Sequence, residues 1–197
     1  LGADGISNNQ YSVNNLNYPK ELIGKQFLLM VGTVEPRKGY QQAFEAMQLF
    51  WEDGVDLCLV IIGNQGWLVD DLAQQVKTHK EFGKRLFWYE NADDTLLTSL
   101  YKSGVALLMA SKGEGFVLPI IEAAKYKLSV IARDLPVFRE VLGSNASYFT
   151  GDDPFELKSH IDDWLTMYKD QKHPDIAQVK IKNWNESKND LLKCILE

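Results

Sequence analysis

The chain has 197 residues, a formal net charge of −6, 45% hydrophobic residues and 24% charged residues. That size suits one globular domain with a small appendage, and the composition excludes a disordered chain, a collagen and a coiled coil. The acidic balance speaks against nucleic acid as a partner, because phosphate contact needs a basic face. A local cationic cluster gripping a small anion remains compatible with it.

Residues 1–24 are polar, rich in Asn and without helical or strand period, and read as an inter-domain linker or tail. A near-continuous apolar run over 27–34 predicts a strand covered on both faces. Residues 39–51 carry Ala43, Phe44, Met47 and Phe50 at helical spacing. A second buried strand over 57–62 ends at Gly63, and a helix over 68–80 carries Leu68, Leu72 and Val76. A short strand over 85–89 precedes a helix capped by Asp93 or Asp94 and running to Lys102. Strands over 105–109 and 128–132 flank a helix over 117–127. One or two helical turns over 137–142 lead to a sixth strand over 147–149. Asp153 and Pro154 open a helix to about Lys169 as N-cap and first residue. A last helix begins near Pro174 and runs to Leu196.

Strands that are apolar throughout and alternate with helices mean a parallel sheet sandwiched by helices. The expected class is α/β, a Rossmann-like, doubly wound, parallel six-stranded sheet. Ligands of such sheets sit beyond the carboxyl ends of the strands, where the strand order reverses.

No apolar run approaches the roughly 20 residues that cross a bilayer, and no basic segment leading into an apolar one opens the chain. The chain starts at Leu1 rather than Met, so a longer parent protein is expected. Cys58 and Cys194 make no disulfide framework. Cys58, inside an apolar run, reads as a small buried hydrophobe, and a reducing cytoplasm is the expected setting. His79, His160 and His173 lack metal-ligand spacing and read as exposed helix residues.

The segments after the strands carry the candidate chemistry. After the first comes Thr33-Val34-Glu35-Pro36-Arg37-Lys38-Gly39, where two cations enter a helix. They neutralise phosphates, or they are two solvated surface cations in a turn. The G-x-G-x-x-G and G-K-[ST] fingerprints are absent. After the second strand, Gly63-Asn64-Gln65-Gly66 lets backbone approach a ligand, or makes an ordinary turn. After the fourth comes Ala110-Ser111-Lys112-Gly113-Glu114-Gly115-Phe116-Val117-Leu118-Pro119-Ile120-Ile121-Glu122. Glycines flank Glu114, Pro119 suits a first helical turn, and free N–H groups at Phe116 to Leu118 make an anion site. Carboxylates accept hydrogen bonds, so sugar hydroxyls are natural partners of Glu114. Glu122, in an otherwise apolar run, is a ligand group or reaches solvent. Arg139 and Glu140 read as a surface ion pair of little worth.

Together these segments resemble the donor-binding half of retaining glycosyltransferases of GT-B architecture, glycosyltransferase family four. The resemblance spans about Phe27 to Phe149. V-G-T-V-E-P-R-K-G is similar to the family segment whose basic residues hold the donor diphosphate, which implies that role for Arg37 and Lys38 beside Gly32. E-G-F-V-L-P-I-I-E is similar to the family's Glu-x7-Glu motif. It implies that Glu114 lies near the transferred sugar, that Glu122 holds the ribose hydroxyls, and that the Gly115, Phe116, Val117 and Leu118 backbone cradles phosphate. The segment from Tyr89 to Ala92, including Asn91, resembles the family's base-contacting segment, and Gly63, from its loop, is a further candidate donor-binding position. L-L-M-A-S departs from a family segment that often ends Pro-Ser.

The resemblance implies transfer of a hexose, mannose favoured, to a saccharide or lipid-linked acceptor for polysaccharide biosynthesis. The donor would be a nucleoside diphosphate sugar, GDP-mannose before a UDP-sugar, with Glu114, Arg37 and Lys38 as the catalytic set. No cofactor or metal is implied, since the cations replace Mg²⁺ at the leaving diphosphate. It further implies a partner N-terminal acceptor domain and little activity for this part alone. The donor domain would span 25–172, and a helix over 173–197 would pack toward the missing half. The expected location is cytoplasmic, with weak peripheral association of the whole enzyme at the inner face of the plasma membrane. Two rivals compete. A Rossmann-like domain of an epimerase or dehydrogenase needs a glycine-rich first turn, which is missing. A non-catalytic nucleotide- or protein-binding domain has no need of the Arg37, Lys38, Glu114 and Glu122 set.

Overall fold

Alternation of side chains along each strand divides the apolar residues between two cores. Strands β1 (Gln26–Val31), β2 (Leu57–Ile62) and β3 (Leu86–Tyr89) join β4 (Ala106–Met109), β5 (Ser129–Arg133) and β6 (Ser147–Phe149) in one sheet. All five pairings are parallel, in the order β3-β2-β1-β4-β5-β6. The structure, a computed structural model, describes residues 18–115 and 117–179.

The helices are α1 (Tyr40–Glu52), α2 (Asp70–Thr78), α3 (Asp94–Ser103), α4 (Leu118–Tyr126), α5 (Pro136–Leu142) and α6 (Pro154–Lys169). Leu28, Met30, Leu59 and Ile61 pack with Phe44 of α1, Leu72 of α2 and Trp164 of α6. Their chain neighbours Phe27, Leu29, Cys58 and Val60 face the other way, onto Tyr101 of α3, Ile120 of α4 and Phe138 of α5. Coverage on both faces explains why β2 is buried at all six positions and why its sequence shows no polar alternation. Burial pushes the Cys58 thiol up to about 11, so it is an inert packing residue. The doubly wound fold expected from the alternating pattern is present, with the strand order of a dinucleotide-binding sheet.

Capping follows the sequence where side chains can cap. Asp93 accepts the Leu96 N–H at 2.7 Å and Asp153 accepts the Phe155 N–H at 2.8 Å, each satisfying one orphan donor of its helix.

Several local expectations are corrected. The first strand stops at Val31, because Gly32 turns the chain at φ 129°. Leu68 does not join the apolar stripe of α2: it precedes the helix at φ 50° and is 80% exposed, and the buried Val69 packs in its place. The three histidines are half-buried rather than exposed. His79 packs against Phe44 and Trp51, His160 meets Ser147 Oγ at 2.9 Å, and His173 lies beside Trp164. Burial lowers the pKa of each. Arg139 pairs with Asp134 at 2.8 Å and covers the Tyr148 ring, instead of pairing with its chain neighbour Glu140. Leu22, within the polar opening stretch, is fully buried. The expected last helix shows a short 3-10 turn over Ile176–Gln178, and its remainder from residue 180 lies outside the described residues.

The ends of β1 and β2 meet through backbone. A Cβ on Gly63 would stand 2.0 Å from the Gly32 carbonyl oxygen, and Gly63 also holds φ 145°. Gly63→Ala is therefore expected to cost at least about 2 kcal/mol of unfolding free energy. The readout is a lower urea midpoint at unchanged slope, and an unaltered midpoint would disprove so tight an approach.

Candidate functional site

Strands β1 and β4 are neighbours in the sheet but lead into helices on opposite faces. Their carboxyl ends therefore splay and open a cleft lined by Val31, Lys38, Tyr40, Met109, Ala110 and Ser111. This is the place where the strand order reverses.

The loop after β1 reaches the cleft by a short 3-10 turn, Pro36–Lys38, stopped by Gly39 in the left-handed conformation. Gly39 is required twice. Its φ is 73°, and a Cβ there would lie 2.2 Å from the Ala110 carbonyl oxygen. The two loops thus touch backbone to backbone, and the Lys112 N–H donates to the Arg37 carbonyl at 2.7 Å.

Glu114 is the hub. Lys38 Nζ donates to its Oε1 at 2.6 Å, Ser111 Oγ donates to the same oxygen at 2.7 Å, and Arg37 reaches Oε2 at 3.3 Å. Arg37 also donates to the Gly113 carbonyl at 3.2 Å and pairs with Glu35 at 3.1 Å. The Glu114 side chain is only 3% exposed, against 16% for Lys38 and 48% for Arg37. Burial alone would raise the Glu114 pKa. The Lys38 and Ser111 hydrogen bonds and the charges of Lys38 and Arg37 outweigh it and hold the carboxyl below its ordinary value. Glu114 is an anion at neutral pH: an acceptor and a stabiliser of positive charge, and no general acid.

Tyr40 lies beneath this cluster, 2% exposed, and donates to the Gly32 carbonyl at 2.7 Å. Burial, with Glu114 and Glu35 close by, keeps its phenol protonated far above the usual range. On the other side Arg133 is buried at the end of β5. It donates to the carbonyls of Ala110 and Gly151 and to Gln42 of α1, and it pairs with Asp152 at 3.1 Å. Lys112 reaches the same Asp152 at 3.1 Å. The glutamate loop is thereby held from both flanks.

Helix α4 opens at Val117 with no side-chain cap and with Pro119 inside its first turn. Its first N–H groups are the kind that bind anions. Val117 is buried, Leu118 is 54% exposed, and Gly115 has open space where a Cβ would stand. Phe116 lies outside the described residues. Glu122 is half-buried on α4, and its Oε2 accepts from the Tyr101 hydroxyl at 2.7 Å. Asn91 holds φ 55°, and its N–H donates to Asn64 Oδ1 at 2.9 Å. Ala92 beside it is half-buried. Gly63 accepts from Trp88 Nε1 at 2.7 Å.

Arg37, Lys38 and Glu114, separated by more than seventy residues of chain, are thus in direct contact. Glu122 stands apart from that contact and joins it through α4. Tyr40, Ser111 and the Arg133–Gln42 brace were not anticipated. Their positions read as helix, strand end and loop, and only pairing across the sheet gives them roles. Among the described residues no group of three or more His, Cys, Asp or Glu side chains is placed to hold a metal. Among those residues, too, no helix is long and apolar enough to cross a membrane.

Comparison with known proteins gives the family and the fold. The family model described as glycosyl transferases group 1 matches residues 17–180. The chain is 44% identical over 165 residues to the serotype-specific mannosyltransferase WbdA of Escherichia coli, covering 84% of this chain and 20% of WbdA. It is 29% identical over 161 residues to the O-antigen chain mannosyltransferase RfbU of Salmonella typhimurium, covering 82% of this chain and 44% of RfbU. The chain therefore spans about a fifth to under half of these relatives. Among solved structures, the C-terminal domain of the glycosyl transferase group 1 protein LpcC from Francisella tularensis superposes with a TM-score of 0.66. It is 23% identical and covers 79% of this chain and 82% of that one. The catalytic domain of starch synthase IV from Arabidopsis thaliana reaches a TM-score of 0.71 at 13% identity, covering 86% of this chain and 37% of that one. At those identities the structural likeness establishes the fold alone.

The depressed carboxyl of Glu114 has a pH signature. Its stabilisation is complete above the ordinary value of 4.5 and is lost as the pH falls through the lower folded value. Glu114→Gln is expected to cost about 1–3 kcal/mol at neutral pH, a gap that closes below that range. Urea titrations of both proteins from about pH 7 to about pH 3 check this; a gap independent of pH would refute the ionised hub.

Proposed function

Because the chain belongs to the glycosyl transferases group 1 family, we propose that it is the donor-binding half of a retaining mannosyltransferase. The observation that carries this reading is the contact of Lys38 and Arg37 with Glu114 beside the uncapped start of α4. Cations and free amides suit the diphosphate of a nucleoside diphosphate sugar. A fixed carboxylate suits sugar hydroxyls.

In this reading the diphosphate lies over the α4 start, where Val117 and Leu118 offer N–H groups, and Lys38 and Arg37 neutralise the charge that develops as it leaves. Hydrogen bonds to charged groups contribute about 1.5–3 kcal/mol each. They count most toward rate where charge grows in the transition state. An ammonium has three donors; one of those on Lys38 serves Glu114, so the same side chain can register donor phosphate and glutamate together. Glu114 holds the transferred hexose, and Glu122 accepts from the ribose. The Asn91–Ala92 turn, pinned by Asn64, forms the base end with the Gly32 and Gly63 backbone between.

We assign mannose as the sugar, on the strength of the mannosyltransferase relatives, and GDP-mannose as the donor. The acceptor, saccharide or lipid-linked, would meet a preceding domain, and the enzyme would work in the cytoplasm, where activated sugars are made.

Two measurements test the assignment. In a thermal-shift panel of GDP-, UDP-, ADP- and dTDP-sugars, GDP-mannose is expected to raise the melting temperature most; a larger shift with a UDP-sugar reassigns the base. Lys38→Ala is expected to weaken GDP binding at least about tenfold, the value of one charge-assisted bond. Unchanged affinity by calorimetry would remove Lys38 from the donor site.

A further inference from the structure

Glu122 is held by a residue of a different helix. Tyr101 of α3 is 1% exposed, and its hydroxyl donates to Glu122 Oε2 at 2.7 Å. The Tyr101 ring stacks on Tyr126 with centroids 5.7 Å apart and planes 23° from parallel. The Tyr126 hydroxyl in turn meets Thr98 Oγ1 at 3.3 Å. The phenol is therefore locked between α3 and α4, with little freedom to turn away. Burial first, and then the adjoining Glu122 carboxylate, keep its proton on far above the usual tyrosine range, so it is a permanent donor. One carboxylate oxygen of Glu122 is committed to Tyr101, and Oε1 is left for other partners.

We propose that Tyr101 is a positioning residue for donor recognition, fixing the Glu122 carboxylate so that its second oxygen meets the ribose hydroxyls of the nucleotide. The inference rests on the reading of Glu122 as the ribose acceptor. It adds the group that orients that acceptor. A glutamate on a half-exposed helix face has three rotatable bonds, and a carboxylate free to swing would lose rotamer entropy each time it bound. Tyr101 removes that freedom beforehand, as orienting partners do for binding groups in general. It does so without touching the nucleotide.

The test uses Tyr101→Phe, which keeps the ring stack and deletes only the hydroxyl, together with Glu122→Gln. Both are titrated calorimetrically with GDP and with 2′,3′-dideoxy-GDP, and with the uridine pair in parallel. Tyr101→Phe is expected to weaken the hydroxylated nucleotide roughly five- to tenfold and to leave the dideoxy nucleotide unchanged, so that the ratio between them collapses. An equal loss for both ligands, or no loss for either, overturns the positioning role. Glu122→Gln separates the layers. If it lowers the same ratio while Tyr101→Phe does not, the inference alone falls. If it leaves the ratio intact, the ribose reading falls and the inference with it. No saturable binding of either nucleotide to the unaltered chain overturns both.

Discussion

The ion pair between Lys38 and Glu114 ties together, side chain to side chain, the two loops that line the cleft. The loops leave adjacent strands toward opposite faces of the sheet, and the ion pair reinforces the backbone hydrogen bond from Lys112 to Arg37 that joins them. A nearly buried carboxylate without partners would cost several kcal/mol. Lys38, Ser111 and Arg37 supply those partners, and the Gly39–Ala110 backbone contact brings them within reach. Removing Glu114 would leave Lys38 without its carboxylate and Arg37 with the Glu35 carboxylate. Removing the cations would leave the carboxylate, among the described residues, with only the Ser111 hydroxyl.

The same economy appears on the far flank. Arg133 meets two carbonyls, Gln42 and Asp152 from one buried position, and a planar guanidinium with five donors is the side chain suited to that. The glutamate loop sits between this brace and the Lys38 pair. A carboxylate framed in this way keeps its position and its charge without reorganisation when a ligand arrives.

Much of this was legible in the chain. Apolar runs such as 57–62 and the aspartates at 93 and 153 are local signals, since burial on two faces and N-capping are written in a few adjacent residues. The proximity of Arg37, Lys38 and Glu114 was legible only through their place after strands, since a parallel sheet gathers all such loops at one edge. What stayed hidden depended on partners distant in sequence. Leu68 fits a four-residue stripe, but α2 starts only at Asp70 and leaves it in the bend before the helix. The histidines looked polar and hence exposed, whereas aromatic neighbours such as Phe44 and Trp51 cover His79. Arg139 prefers Asp134 to Glu140 because i and i+1 side chains on a helix diverge. Nothing near Tyr101 in the chain hints at Glu122, since their contact is made between two helices.

The strand order has an implication for how the cleft comes to exist. Its two walls, β1 and β4, are separated along the chain by β2, β3 and three helices, so neither the first half nor the second contains this cleft by itself. Loop-closure entropy makes such remote pairings slow to establish. A ligand that bridges the two walls can engage only a molecule in which both halves have docked, and by mass action it draws the population toward that state.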